Sequence, residues 1–433
     1  MINDYYYCLF HRFCHFVQNK YNFFKLFHKK RAQGGEASSE LLSKPCFICR
    51  AGYTGIFIII FGLMGCQSSD KERHHVGASN ESVAFPDQVQ AKYAEGFRIT
   101  YHENYKLLKI IQPFQDGKDT LRYSLVPREL TDEVQVSGTR EIAIPIRNLI
   151  ATSTTHIGQL EMLDAAEVIQ GITNSTSVYS KRLRQRIEQE EVIGFPQADV
   201  NKEKLIAMGP DLLMLSGGKS SLLEEYQVLE RSGIALLVNA EWLETTPLGK
   251  AEWVKVVAAL LNKERVANKA FGAVAQRYKE LKAVVDTVAK HPMVINNIPY
   301  KGAWFVSGGN SYMAKFFKDA GADYPWSDNK ETGGLRKDFE VVYEEGLKAD
   351  VWLNPGTATT KEAVLAKDPR FKEFRPFITG EIYNNNKRKR RSGGNDYWES
   401  GAVHPERMLA DLIKIFHPQV LPDYQLYYYQ KVQ

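Results

Sequence analysis

The residues able to do covalent chemistry are gathered at one end of this 433-residue chain. All five cysteines (Cys8, Cys14, Cys46, Cys49 and Cys66) lie in its first 66 residues. The remainder has neither a thiol nucleophile nor a disulfide framework. Cys46 and Cys49, with Cys8, Cys14, His11 and His15, have the residue types of a zinc site, but their surroundings read as a presequence. Gly218-Lys219-Ser220 matches the end of a phosphate-binding loop, yet the earlier glycine that such a loop requires is Leu213. There is no nucleophile elbow and no His-Glu-x-x-His stretch, so no catalytic constellation assembles. Seven histidines follow Cys66, and of these only His156 falls at an expected strand end. A bare metal ion would need several convergent His and acidic ligands, so that alternative has thin support. The expectation is a binding protein without a resident cofactor or catalytic residues.

Charge and hydropathy divide the chain at the same place. Eight of its 56 cations and three of its 51 acids lie in residues 1–65, so the other 368 residues carry 48 of each sign. A neutral body lacks the net basic footprint of a general nucleic-acid-binding protein. Gly55 to Gly65 is an eleven-residue apolar run behind Lys44 and Arg50. As a helix it would be about 16 Å long, too short for a bilayer core of about 30 Å, but it suits a secretory signal. It ends in Leu63-Met64-Gly65-Cys66, which resembles the bacterial lipobox, with Met64 replacing the usual small residue. A lipobox implies acylation of Cys66 and a stable hold on a membrane surface facing the periplasm or exterior. Residues 66–85 are polar and aperiodic, a tether between lipid and body.

The body reads as alternating strands and helices. Phe97–His102 and Tyr105–Ile111 form a hairpin, Leu121–Val126 a third strand and Arg140–Ile146 a fourth. Leu149–His156 is a short apolar strand breaking into a hydroxyl-rich loop, helical spacing begins at Ile157, and Glu167–Ile172 is again strand-like. This alternation is the pattern of a parallel α/β sheet. An internal near-repeat then stands out. Asn201 to Asp211 precedes Leu212–Leu215, and Asp338 to Asp350 precedes Val351–Leu353. Each copy opens on an N-cap residue, has Glu203 or Glu340 in the first turn, and has a short apolar helix ended at glycine. A small-residue loop follows each strand, at Ser216–Ser220 and Asn354–Thr360, where open α/β sheets bind ligands. Between the copies, Ala251–Leu261 predicts one helix and Glu264–Ala289 a second, about 39 Å long, with Val266, Phe271, Val274, Tyr278, Leu281, Val284, Val285 and Val288 on one stripe.

Lipobox, tether, α/β lobe, long helix and second α/β lobe, in that order, resemble a class III substrate-binding lipoprotein of an ABC importer. The importers so served take up ferric siderophores, haem or cobalamin. The resemblance covers roughly Ile142 to Gln419, through Thr152–Leu163, Leu229–Val238, Val306–Ser311, Gly401–Glu406 and the two glutamate segments. It implies two Rossmann-like lobes joined by a single long rigid helix, with the ligand cleft between them. The boundaries are then a presequence at 1–65, a tether at 66–85, an N-terminal lobe at 86–246, a bridging helical segment at 247–290 and a C-terminal lobe at 291–433.

The resemblance also assigns roles. Glu203 and Glu340 match the family's surface glutamates that dock into arginine pockets of the permease, whose ATPase drives uptake. By position the first lobe offers Ser153, Thr154, Thr155, His156, Ser216, Lys219 and Trp242 to the ligand. The second offers Tyr300, Trp304, Tyr312, Asn354, Thr357 and Trp398. Aromatic faces suit macrocycles or catecholate rims, and hydroxyls and amides fix orientation. His156 has the chemistry of an axial ligand to haem iron or cobalt. The run Lys387 to Arg391 is the strong charge cluster of the body, and Arg388 and Arg390 would clamp an anionic chelate if it faces the cleft. The small-molecule metal chelate expected first is therefore a ferric siderophore, then cobalamin or haem.

Overall fold

The computed structural model describes residues 85–196 and 200–433. The expected presequence, apolar run, Cys66 and tether, apart from Phe85, lie outside the described residues. The described part belongs to one compact unit. Four strands come first: β1 (Phe97–Tyr101), β2 (Lys106–Ile111), β3 (Thr120–Pro127) and β4 (Arg140–Ile144). They pair in that order, antiparallel twice and then parallel, as a sheet of their own and not as part of an α/β unit. β4 stops at Ile144, short of the expected Ile146, because Pro145 has no N–H to give a ladder.

The next segment alternates as its sequence predicts. It runs β5 (Leu149–Ala151), α1 (Thr154–Met162), β6 (Ile169–Thr173), α2 (Lys181–Glu188), β7 (Ile193–Phe195), α3 (Lys202–Met208), β8 (Leu212–Ser216), α4 (Leu222–Glu225), α5 (Gln227–Arg231) and β9 (Ala235–Asn239). The strands form one parallel sheet in the order β7-β6-β5-β8-β9. β5 and Leu212–Met214 of β8 are buried throughout, as central parallel strands covered on both faces must be. α1 begins at Thr154, three residues before the expected start, because Ser153 caps it by accepting from the Thr155 N–H at 3.3 Å. α3 is capped by Asn201, which accepts from the Lys204 N–H at 2.7 Å, and ends at Gly209 with φ +56°.

Three helices follow: α6 (Pro247–Glu252), α7 (Val254–Leu261) and α8 (Glu264–Val285). The single helix expected at 251–261 is divided at Trp253, and α6 starts earlier because Thr246 caps it ahead of Pro247. α7 is buried on every side. α8 has 22 residues, about 33 Å, and ends four residues before Ala289. Phe271, Val274, Tyr278, Leu281 and Val285 face inward, whereas Val266 and Val284, expected on the same stripe, are exposed.

The chain then forms β10 (Val294–Asn296), β11 (Trp304–Ser307), α9 (Tyr312–Asp319), β12 (Gly334–Lys337), α10 (Phe339–Lys348), β13 (Val351–Leu353), α11 (Lys361–Leu365), α12 (Arg375–Thr379), β14 (Ile382–Asn384), α13 (Pro405–Phe416) and β15 (Gln430–Lys431). β10, β13 and β14 are parallel, β15 joins them antiparallel, and β11–β12 is a separate antiparallel pair. The second sheet is thus mixed. α10 does not end at Gly346 but runs through it, since the glycine is needed where a Cβ would lie 2.4 Å from the Phe374 ring. A continuous apolar cluster runs from Phe97 and Leu149 through Val256 and Phe271 to Phe316, Val351 and Leu412. Separate clusters lie beneath the outer helices of each sheet, around Leu213 and Leu229 and around Trp352 and Phe374.

Buried carboxylates bind the irregular ends to this frame. Glu252 accepts the N–H groups of Lys92, Tyr93 and Ala94 at 2.6–2.9 Å, and the Lys255 ammonium at 2.6 Å. Glu244 accepts from the Gly96 N–H and from Trp253 Nε1. Asp411 takes the N–H groups of Tyr427, Tyr428 and Tyr429 at 2.6–2.9 Å, holding the C-terminal tail on α13. Lys106 is fully buried and donates to Glu264 at 2.5 Å and to the Asn262 side chain at 2.7 Å, tying the first sheet to the start of α8. Each group that leaves water here regains its hydrogen bonds from the protein, as burial of charge demands.

Candidate functional site

A cavity of about 680 Å³ opens between two walls far apart in sequence. The first is built from α1 (Gly158, Glu161, Met162) and from Tyr179 to Arg182 with Arg184, at the start of α2. The second comes from Arg388, Arg390, Asp396, Glu399, Ser400, Val403, His404 and Arg407, with Tyr427 of the tail. Local sequence explains each wall. Ser180 caps α2, its Oγ accepting from the Leu183 N–H at 3.2 Å, so the basic turn that follows projects from a fixed start. Pro405 opens α13 and places Arg407 in its first turn, below the tyrosines that Asp411 holds.

Six cationic side chains line this space: Lys181, Arg182, Arg184, Arg388, Arg390 and Arg407. Arg388 donates to Asp396 at 2.6 Å, and its guanidinium lies 4.3 Å from the Tyr427 ring centroid and 5.1 Å from that of Tyr179. Arg407 lies 4.9 Å from the same Tyr427 ring. Three carboxylates oppose them. Asp396 is paired with Arg388, and Glu161 accepts the Ser180 hydroxyl. Glu399 is buried, and burial pushes its carboxyl up to about 8, the nearby Glu161 and Asp396 charges adding to the rise while backbone N–H bonds oppose it. Below that pH the third carboxyl is neutral, and even with all three ionised the six cations leave the lining net positive.

Of the candidate ligand residues, Arg388 and Arg390 line this cavity, so the Lys387–Arg391 run does turn two guanidinium groups inward. Ser153, Thr155, Ser216 and Trp242 gather elsewhere, at the carboxyl ends of the parallel strands. Ser216 donates its N–H to Thr152 Oγ1 at 2.8 Å, the Thr155 hydroxyl bonds Glu241, and Trp242 Nε1 is buried without a partner. Buried Glu241 feels the Lys250 charge, and the Lys250 ammonium sits 5.2 Å from the Tyr312 ring. Thr154 is half-buried in the first turn of α1 and Lys219 is exposed. Asn354, with φ +56°, donates to the Tyr429 hydroxyl at 3.4 Å. Tyr300 and Thr357 are exposed, and Trp398 packs its ring edge-on against Tyr397.

Two assignments are corrected. Trp304 lies in the aromatic core on β11, fully buried against Trp352, Phe371 and Phe374, with Nε1 donating to the Asn296 carbonyl at 3.0 Å. His156 is not in a loop but in the first turn of α1, wholly enclosed, and burial drives its imidazole down to about 3. It is neutral at physiological pH and faces the interior. Among the described residues no group of three or more His, Cys, Asp or Glu is placed to hold a metal ion. The sequence reading missed Tyr179, Lys181, Arg182, Arg184, Glu399, Arg407 and Tyr427. A signal for part of this set was present in Lys181-Arg182-Leu183-Arg184, a second basic run directly after a capping serine. Glu203 and Glu340 are both exposed in the first turns of α3 and α10.

Sheets with parallel strands in two parts of the chain and a charged cavity walled by distant segments give the molecule a candidate ligand-binding site. Residues 149–387, more than half of the chain, match the Periplasmic binding protein family, and the chain belongs to it. It is a substrate-binding protein of an ABC transporter, not an enzyme, and this class works with a membrane permease. The chain is 25% identical over 403 residues to the uncharacterized lipoprotein MJ0872 of Methanocaldococcus jannaschii, covering 87% of this chain and 97% of the relative. It is 26% identical over 304 residues to the uncharacterized lipoprotein MJ0878 of the same organism, covering 67% and 70%. Among solved structures, a possible iron-binding (periplasmic solute-binding) protein from Staphylococcus epidermidis superimposes with a TM-score of 0.50 at 15% identity, covering 63% of this chain and 98% of that one. The family is a periplasmic one, of the cell envelope, and both relatives are themselves named lipoproteins.

Proposed function

We propose that this protein captures an anionic ferric-siderophore-type chelate and hands it to an ABC permease, held at the membrane by acylated Cys66. The observation that carries this reading is the cavity with six cationic side chains and aromatic faces at Tyr179 and Tyr427. Its volume of about 680 Å³ lies within the ordinary range for small-molecule sites. Guanidinium forks pair with carboxylate and catecholate oxygens, and the rings give a planar chelate a face to lie on. The Staphylococcus epidermidis structure, described as possibly iron-binding, is consistent in fold. In this reading the two halves are lobes that α8 braces, and exposed Glu203 and Glu340 fix orientation on the permease. Two separated charges define one docked pose where a single charge would allow rotation.

Calorimetric titration of the full-length protein in detergent tests the ligand assignment. The probes are a trianionic ferric tris-catecholate, ferric citrate, a neutral ferric trihydroxamate, cobalamin, haem and zinc. The tris-catecholate is expected to bind tightest, with a clear loss of affinity as salt rises. Tightest binding of the neutral chelate, of cobalamin or of bare zinc contradicts the reading.

A further inference from the structure

Glu399 stands at the joint between the two walls of the cavity. Its Oε2 accepts the Tyr179 N–H and its Oε1 accepts the Ser180 N–H, both at 2.7 Å, across about 220 residues of sequence. The same joint is tight elsewhere. A Cβ added to Gly158 would lie 2.3 Å from the Glu399 carbonyl oxygen, and one added to Gly394 would lie 2.6 Å from the Val178 carbonyl oxygen. Arg390 also donates to the Val178 carbonyl at 3.2 Å. The second wall therefore grips residues 178–180 by one carboxylate, one guanidinium and one close backbone approach, and meets α1 at a second, Gly158. What it grips matters, because Ser180 caps α2 and Arg184 donates back to the Tyr179 carbonyl at 3.3 Å. Lys181 and Arg184 take their places in the cavity from that fixed turn.

We propose that Glu399 is a positioning residue: it latches the second wall to the N-terminal turn of α2 and so sets Lys181 and Arg184 against Arg388 and Arg407. The latch itself depends on geometry alone, while its consequence for ligand rests on the anion-binding reading above. A carboxylate suits the task because it accepts two adjacent N–H groups at once, one on each oxygen. An amide of the same size offers one acceptor and turns a donor toward the other N–H. The charged groups facing Glu399 are Glu161 from α1 and Asp396 from its own segment, the latter paired with Arg388. Lys181 and Arg184 line the same cavity. Burial and the two acids favour the protonated form, and ionisation near pH 8 strengthens both backbone bonds.

Amide hydrogen exchange on the ligand-free, full-length protein tests the latch. Above about pH 8, where Glu399 is ionised, Glu399→Gln is expected to raise exchange at Tyr179, Ser180 and the first turn of α2 by roughly tenfold or more, leaving β5, β6 and β8 as protected as before. Gly158→Ala leaves Glu399 intact but forces the walls apart, and it is expected to deprotect the same amides. In the parent, protection at Tyr179 and Ser180, corrected for intrinsic rates, rises as pH passes through about 8, and in Glu399→Gln it stays flat. A purely structural role would not produce that profile. Unchanged exchange in Glu399→Gln, or loss of protection spread evenly over the sheet, overturns the proposal. Ferricyanide, a trianion whose charge is independent of pH, reports the ligand side: parent binding that weakens in Glu399→Gln is expected. If the parent ignores ferricyanide while the exchange pattern holds, the anion reading fails and the latch stands.

Discussion

At the scale of single residues, burial decides more than residue type. His156 has the chemistry of an axial metal ligand, but α1 encloses it and its ring nitrogens find no partner in the protein. Its folded-state pKa lies far below its unfolded one, so acid favours the unfolded chain. The stability that depends on a neutral His156 is complete above about pH 6.5 and drains as pH falls toward about 3, at about 1.4 kcal/mol per unit. Urea unfolding of the parent and of His156→Leu at pH 7 and pH 4.5 should show the parent losing about 2.5 kcal/mol more on acidification. Equal losses would mean that the imidazole is not buried neutral. Trp304 makes the same point. Its position under the family resemblance suggested a cleft, yet β11 turns it inward, because the side facing Trp352 and Phe374 is the apolar side of its sheet. Trp304→Ala should cost about 3–5 kcal/mol of stability, as a core deletion does, and a stability loss under about 1 kcal/mol in denaturant titration would return it to the candidate ligand set.

At the scale of elements, much of the architecture was legible because local signals agreed with tertiary need. The hairpin at 97–111, the apolar strands β5 and β8, and the Asn201-capped start of α3 each declare themselves in a few adjacent residues, whereas Asp338 stands at the start of α10 without a side-chain capping bond. The boundaries that failed were set at a distance. Gly346 reads as a helix stop, but Phe374 needs the space that a side chain would fill. Trp253 divides one apolar stretch into two helices where Glu244 captures its indole. Lys106 gave no signal at all, since its partner Glu264 lies 158 residues away. Burial lowers the Lys106 pKa and the Glu264 charge opposes that shift. Lys106→Met alone should therefore destabilise by about 3–5 kcal/mol by leaving Glu264 buried and unpaired, whereas Lys106→Met with Glu264→Leu should recover most of the loss in thermal or urea unfolding. A single variant as stable as the parent would show that the pair is not enclosed.

At the scale of the molecule, the cavity is where sequence reading reached least far. Half of its cations stand on the 181–184 turn and half between Arg388 and Arg407, and only the fold makes one site of them. The proposed docking role of Glu203 and Glu340 belongs to the whole particle too, since each is by itself an ordinary helix-start acid. Replacing Glu203 and Glu340 together by Ala should abolish chelate uptake by cells while leaving the affinity of the purified protein unchanged; uptake that persists removes them from the permease interface. The central claim is that an anionic metal chelate sits between the 179–184 and 388–407 segments. Diffraction from crystals of the protein grown with ferric tris-catecholate, collected at the iron absorption edge, tests it most directly. An anomalous peak inside this cavity, within reach of Arg184, Arg388 and Arg407, is the predicted result, and a peak anywhere else on the molecule would contradict the account.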